Sequence, residues 1–198
     1  MERANLFRYI ALLLIPCLVC PALGETVTER FAAEDLASLS PALTDQAVNA
    51  AGPVDTEQIE HEIFLLVNEA RRNATKKSYH ELKRSPRLDR LAERHSTHMA
   101  RRGMLFHAMA SGVYGQNVAI MDSGTLRFVR CKGSGPSIHE VKNTAYAIAN
   151  ATMDMFMNHD CKSGWGHRGN ILTGRYRTIG IGVVYARGWY WITQDFGY

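Results

Sequence analysis

Residues 155–172 read Met-Phe-Met-Asn-His-Asp-Cys-Lys-Ser-Gly-Trp-Gly-His-Arg-Gly-Asn-Ile-Leu, which sets an imidazole, a carboxylate and a thiol side by side at His159, Asp160 and Cys161. A second imidazole follows at His167. Groups of these types can hold a metal ion, take up a proton from a reacting water, or activate a thiol as a nucleophile. Gly164 and Gly166 flank Trp165, a pattern that favours a tight loop over a helix, so His167 is expected on a loop where other groups can converge on it. Two more residues could meet this stretch from elsewhere in the chain. His107 lies in Met104-Leu-Phe-His-Ala108, and Cys131 could pair with Cys161.

Helices and strands must carry these groups. Asp55 can cap a helix in which Ile59, Ile63, Leu66, Val67 and Ala70 recur on one face, ending near Asn73. Ser85-Pro86 is a second start signal, a cap followed by proline at the first helical position. Leu88, Leu91, Ala92, His95 and Met99 form the buried stripe of that helix, and Gly103 ends it. His95 is expected in the core and His98 on a more exposed face. His107 falls just beyond the helix end, before Gly115-Gln-Asn117 leads into Val118-Ala-Ile-Met121. Residues 122–138 read as an irregular connection, and a third helix is expected over about 138–158. Residues 177–185 and 189–196 alternate around a glycine-containing turn and predict a hairpin. Gly180 and Gly182, two residues apart, call for something packed closely on one face of it. Helices first and strands late imply an α+β layered domain.

The N-terminus belongs to a different class of segment. Arg3 and Arg8 precede a short apolar run over residues 9–19, and Ala22-Leu-Gly24 fits a small-residue cleavage site. This reads as an export signal over 1–24, or as an uncleaved N-terminal anchor, although the run is shorter than the roughly 20 apolar residues of a comfortable span. Residues 25–54, rich in Ala, Ser, Thr and acids and broken by Pro41 and Gly52-Pro53, read as a spacer before a domain over 55–198. The expected location is secreted or associated with the cell envelope. Cys17 and Cys20 lie in the signal, which leaves Cys131 and Cys161 as a pair expected to form a disulfide outside the cytoplasm. Such a bridge would stabilise by roughly 3–4 kcal/mol on the chain-entropy estimate. Residues 25–70 carry ten acids and one base, and residues 71–102 eleven bases and three acids. Neighbouring solvated faces of opposite sign are one reading and attraction to anionic envelope polymers or lipid headgroups the other, while no basic-aromatic module for nucleic acid is visible in the sequence.

Several blocks in fixed order resemble the CAP superfamily (the SCP or PR-1-like domain) in its short prokaryotic form. They are Leu66-Val-Asn-Glu-Ala-Arg71, Ser85-Pro-Arg-Leu88 through His98-Met-Ala-Arg-Arg-Gly103, Phe106-His107, Gly115-Gln-Asn-Val-Ala119, Gly166-His-Arg-Gly-Asn-Ile-Leu172 and the hairpin closing on Gln194-Asp-Phe196. The resemblance implies an α-β-α sandwich whose central cleft holds two histidines, matching His107 and His167, and two acids. Some members bind a divalent metal such as zinc there. The family's Gly-Glu-Asn motif has Gln116 in place of its glutamate, and the position of the second acid falls at His159, with Asp160 one residue on. The cleft implied here is therefore His107, Gln116, His159, Asp160 and His167, with His107 and His167 as metal ligands and His159 or Asp160 open as a third.

Three functions follow from these residues. One is a binding domain for a lipid, a wall component or a protein, because a neutral amide replaces the acid. A second is a metal-dependent, peptidase-like hydrolase built on His107 and His167 with Asp160 as base, or a thiol dyad of Cys161 with His159 or His167. The third is an adhesive envelope protein tethered by residues 25–54. Membrane contact would come only through an uncleaved N-terminal segment.

Overall fold

The structure, a computed structural model, describes residues 53–74, 80–128, 130–132 and 136–198. The expected signal and nearly all of the expected spacer lie outside these residues. Helix α1 spans Thr56–Asn73, and the Asp55 side chain caps it by accepting from the Glu57 amide at 2.9 Å. Its Ile59, Ile63 and Val67 are fully buried. Strand β1 (Lys83–Arg84) leads into α2 (Pro86–Arg102), with Ser85 as cap, Pro86 in the first turn and Gly103 leaving in the left-handed conformation at φ 67°. Leu88, Ala92, His95 and Met99 are buried as the stripe requires, and Leu91 is half-buried. His95 joins the core by way of a 2.8 Å hydrogen bond between Nε2 and the Phe106 carbonyl, while His98 is exposed.

The middle of the chain departs from expectation. Strands β2 (Gly115–Met121), β3 (Gly124–Phe128) and β4 (Ser137–Val141) precede α3, which spans only Ala145–Asn158. Residues 137–141 pair with β3 instead of starting the helix, and β3 itself falls in the stretch read as irregular. Thr144 is the reason the helix starts late. Its side chain accepts from the Ala147 amide at 3.2 Å, so the cap sits there, and Ser137-Ile-His-Glu-Val141 is left to alternate as a strand. A 3₁₀ turn (Cys161–Ser163), a short helix α4 (Gly166–Leu172), and strands β5 (Thr178–Ala186) and β6 (Trp189–Gly197) complete the domain. Arg187 and Gly188, at φ 57° and 80°, make the turn of the expected hairpin.

The main sheet runs β1-β5-β6-β2, with β1 parallel to β5 and the other neighbours antiparallel, so β2 is an edge strand. Alternation along β5 sorts the layers. Ile179, Ile181 and Val183 join one core cluster with Ile59, Ile63 and Val67 of α1 and Ile148 and Phe156 of α3. Gly180 and Gly182 face the other way, onto α2. A methyl group on Gly180 would enter the α2 backbone at Leu88 and Asp89, and one on Gly182 would enter it at Ala92 and Glu93. This is an α-β-α sandwich, and the two glycines set the distance between α2 and the sheet. The Ser96 hydroxyl uses that closeness to donate to the Gly182 carbonyl at 2.8 Å. Gly182→Ala is expected to cost about 2 kcal/mol by overpacking, read as a lower urea midpoint at unchanged slope.

Candidate functional site

The site lies at the β2 edge. Register places Gln116 opposite Asp195, which is opposite Gly180, so both polar side chains share the α2 face of the sheet. The next pair, Asn117 and Gln194, faces the other layer. His107, five residues past α2, reaches Gln116 with Nδ1 at 3.2 Å from Oε1. Gln116 is buried and its amide is fully engaged. Oε1 also accepts from the Ala108 amide at 3.0 Å, and Nε2 donates to the Ala108 carbonyl at 3.3 Å and to Asp195 Oδ1 at 2.9 Å.

His167 arrives from the opposite layer. It is not on a loop but in the first turn of α4, and the reason is local. Gly164 and Trp165 both take left-handed angles, at φ 68° and 64°, and turn the chain back over Asp160. The Asp160 carboxylate then accepts the amides of His167 at 2.8 Å and Arg168 at 3.2 Å, which makes it the cap of a helix that begins six residues later. The same carboxylate accepts a hydrogen bond from His167 Nδ1 at 2.6 Å, and the Ser163 hydroxyl donates to it as well. Phe156 stacks on the His167 ring with centroids 4.7 Å apart. Asn117 Nδ2 donates to the His167 carbonyl at 3.2 Å, and Asn170 Nδ2 to Asn117 Oδ1 at 2.9 Å, so the edge strand and α4 are cross-linked beneath the site. On the far side, Arg71 of α1 donates to the carbonyls of Ile171 and Thr173 at 2.7 and 3.0 Å, anchoring the end of α4.

The model of the cysteine-rich secretory protein family, CAP, matches residues 64–196. The chain belongs to the CAP family. Similar solved structures include an extracellular protein containing a SCP domain from Bacillus anthracis (17% identity, TM-score 0.48, covering 74% of this chain and 45% of that one). BmVAL-1 (16%, 0.49, 74% and 79%) and hookworm platelet inhibitor (15%, 0.44, 75% and 72%) are further examples. The chain thus spans less than half the length of the Bacillus protein. No curated protein matches the sequence.

Within this CAP cleft the structure brings together His107, Gln116, Asp160 and His167. It does not bring His159 to them. His159 ends α3 and its Nε2 faces Asp154 Oδ2 at 3.3 Å, back along the helix, while Asp160 turns the other way to cap α4. Cys161 is bonded to Cys131, so it has no thiol to form a dyad with either histidine. Asp160 is no free base either, because both its oxygens are spent on His167, Arg168 and Ser163.

One carboxylate escaped the reading of the sequence. Asp195, behind Gln116 and 2% exposed, has its carboxyl raised to about 6 by burial, with the Gln116 hydrogen bond opposing. The signal was available, since a charged residue sits inside a strand that is buried on both faces. Asp160 goes the other way: burial pushes its carboxyl up, but the His167 hydrogen bond and charge, Ser163 and the Arg168 amide together hold it below the ordinary value. His107 is exposed as a residue, yet partial loss of solvation, first, and the neighbouring His167 and His95 hold its imidazole below the ordinary value against the Gln116 hydrogen bond. It is neutral at pH 7.

Both imidazoles therefore use Nδ1 inside the protein, which leaves Nε2 of each as the nitrogen able to meet a ligand. For a catalytic zinc this donor set is one short. Such sites keep three protein ligands. Gln116 holds the position of the family's acid with both ends of its amide engaged, and Asp195 is buried beyond it. The cleft residues do not fit a metal hydrolase centre.

Proposed function

We propose that this CAP domain is an exported binding module whose His107–His167 cleft holds a ligand without hydrolysing it. The observation that carries the reading is Gln116: a neutral amide, fully hydrogen-bonded, stands where a base or metal ligand would be needed. His107, neutral at pH 7, accepts a hydrogen bond at Nε2, so the ligand offers a hydroxyl or amide donor. Met109, Tyr114 and Trp165, each two residues along the chain from His107, Gln116 and His167, are exposed. Large side chains with apolar faces, left in water so near the cleft residues in the chain, favour a ligand with an apolar or stacking face. Wall glycans, lipids and protein surfaces all meet that description. Export rests on the signal-like residues 1–24 and on the Cys131–Cys161 bridge, a bond suited to an oxidising compartment.

The test is a binding screen with wall-glycan fragments, lipid vesicles and secreted proteins, each bound sample analysed for breakdown products. The expected result is a ligand recovered intact, with affinity falling at least about tenfold in His107→Ala, His167→Ala and Trp165→Ala, the loss of one hydrogen bond or one apolar anchor. Turnover that disappears in His107→Ala or His167→Ala would overturn the reading.

A further inference from the structure

We propose that His139, Asp154 and His159 form a second site, separate from the CAP cleft, that takes a divalent transition-metal ion of the zinc type. Each residue offers one ligand atom, and the three atoms lie within 4.8 Å of one another. Asp154 Oδ2 is 3.5 Å from His139 Nδ1 and 3.3 Å from His159 Nε2. Bonds of about 2.0–2.1 Å from a tetrahedral ion put neighbouring ligand atoms about 3.3–3.4 Å apart. Two of the three edges therefore already match such an ion, and the third, between the two imidazoles, lies within 4.8 Å.

In two of the three residues, His139 and Asp154, the end that does not face the centre is held. The Ser137 hydroxyl meets His139 Nε2 at 2.8 Å, which directs Nδ1 toward Asp154. Asn158 Nδ2 donates to Asp154 Oδ1 at 2.7 Å, which directs Oδ2 inward. Partners of this kind fix the orientation of metal ligands and raise their basicity. An apolar wall stands beside the group: the Phe128 ring lies 4.6 Å from His139 and 5.3 Å from His159, centroid to centroid. The ligand side chains are 29%, 26% and 12% exposed for His139, Asp154 and His159, sheltered but reachable by an ion from solution.

Two imidazoles and one carboxylate select the metal class. Magnesium and calcium take oxygen sets, whereas zinc and its neighbours accept this mixture with a fourth position left for water or a ligand. The ligands come from β4, the body of α3 and its C-terminal cap, so a bound ion ties the β3–β4 sheet to α3. Asp154 and Asn158 also line the groove between α1 and α3, with Leu66, Tyr146 and Met157, so the site borders that groove.

The experiment is zinc titration by calorimetry, with the visible spectrum of the cobalt(II) form as a second readout, on the whole chain prepared with chelator and then freed of it. The expected result is one equivalent of zinc bound and an intense tetrahedral cobalt spectrum, both unaffected by excess magnesium. His139→Ala and His159→Ala lose both signals, whereas the His107→Ala/His167→Ala double variant keeps them. Ser137→Ala and Asn158→Ala, which leave all three ligands in place, weaken zinc by about 10–100-fold. Melting in chelator shows that each variant is folded, and His139→Gln replaces any that is not. Absence of binding in the parent overturns the proposal, as does zinc retained in both His139→Ala and His159→Ala. Zinc lost with the cleft pair instead would assign the metal to the cleft, which also overturns it and would reopen the hydrolase reading.

Discussion

Asp160→Ala is expected to destabilise the domain by about 4 kcal/mol at pH 7. Asp160 is 3% exposed, and its carboxylate serves two backbone amides, the His167 ring and the Ser163 hydroxyl. Hydrogen bonds to a charged group contribute about 1.5–3 kcal/mol each, and removing one partner of a buried charged pair costs about 3–5 kcal/mol. The bonds share one carboxylate and are not additive, so the pair figure is the better guide. The effect carries a pH signature. The folded carboxyl is held below its ordinary value, so its stabilisation is present above the unfolded value near 3.8 and is lost as pH falls through the folded one. The gap between parent and Asp160→Ala in denaturant titrations should therefore be widest at neutral pH and narrow as pH falls below the unfolded value near 3.8. A variant within about 1 kcal/mol of the parent at pH 7 would mean that Asp160 is not what holds α4. Asp160→Asn separates fold from site. It retains an acceptor for the amides, but an amide nitrogen turned toward His167 Nδ1 would move the ring proton to Nε2, making the cleft nitrogen a donor. Ligand binding should then fall more than stability does.

Much of the framework was legible in the sequence, because its signals are local. Asp55, Ser85-Pro86 and Gly103 mark helix ends through backbone geometry that depends on neighbours in the chain. Gly180 and Gly182 announced a close approach, and the α2 backbone occupies the space where their side chains would be. What stayed hidden depends on contacts between distant residues. His167 read as a loop residue because nothing near Trp165 says that Asp160 will cap a helix beginning at Gly166. His159 read as part of the cleft because it falls at the position of the family's second acid, yet a helix end and a turn send it and the adjacent Asp160 to opposite sides. The error over the start of α3 had a further effect. A continuous helix over 138–158 separates His139 from Asp154 by about 22 Å at 1.5 Å per residue. Only a strand folded back at residues 142–144 puts His139 Nδ1 at 3.5 Å from Asp154.

Asp195 should set the pH dependence of stability above pH 4, in the opposite sense to Asp160. Its folded carboxyl titrates at about 6 because burial penalises the charge more than the Gln116 hydrogen bond favours it. Between the unfolded value near 3.8 and about 6, the folded protein holds the proton and the unfolded chain has released it. The unfolded state therefore binds fewer protons, and stability falls as pH rises through this window. Across its whole width the fall amounts to about 3 kcal/mol, complete by pH 7. Asp195→Asn has no proton to exchange, and its carbonyl can still accept from Gln116 Nε2. The stability difference between variant and parent, followed in denaturant from pH 4 to pH 7, should grow by roughly 2–2.5 kcal/mol in favour of the variant and level off near pH 7. Taking the difference removes the contributions of Asp160 and the histidines, which both proteins share. A flat difference would place the Asp195 carboxyl near its ordinary value, and the buried side of Gln116 would then face water or a cation instead of a desolvated acid. Because Gln116 joins Asp195 to His107, the same titration followed at the His107 ring resonances tests whether the charge behind the amide is felt in the cleft.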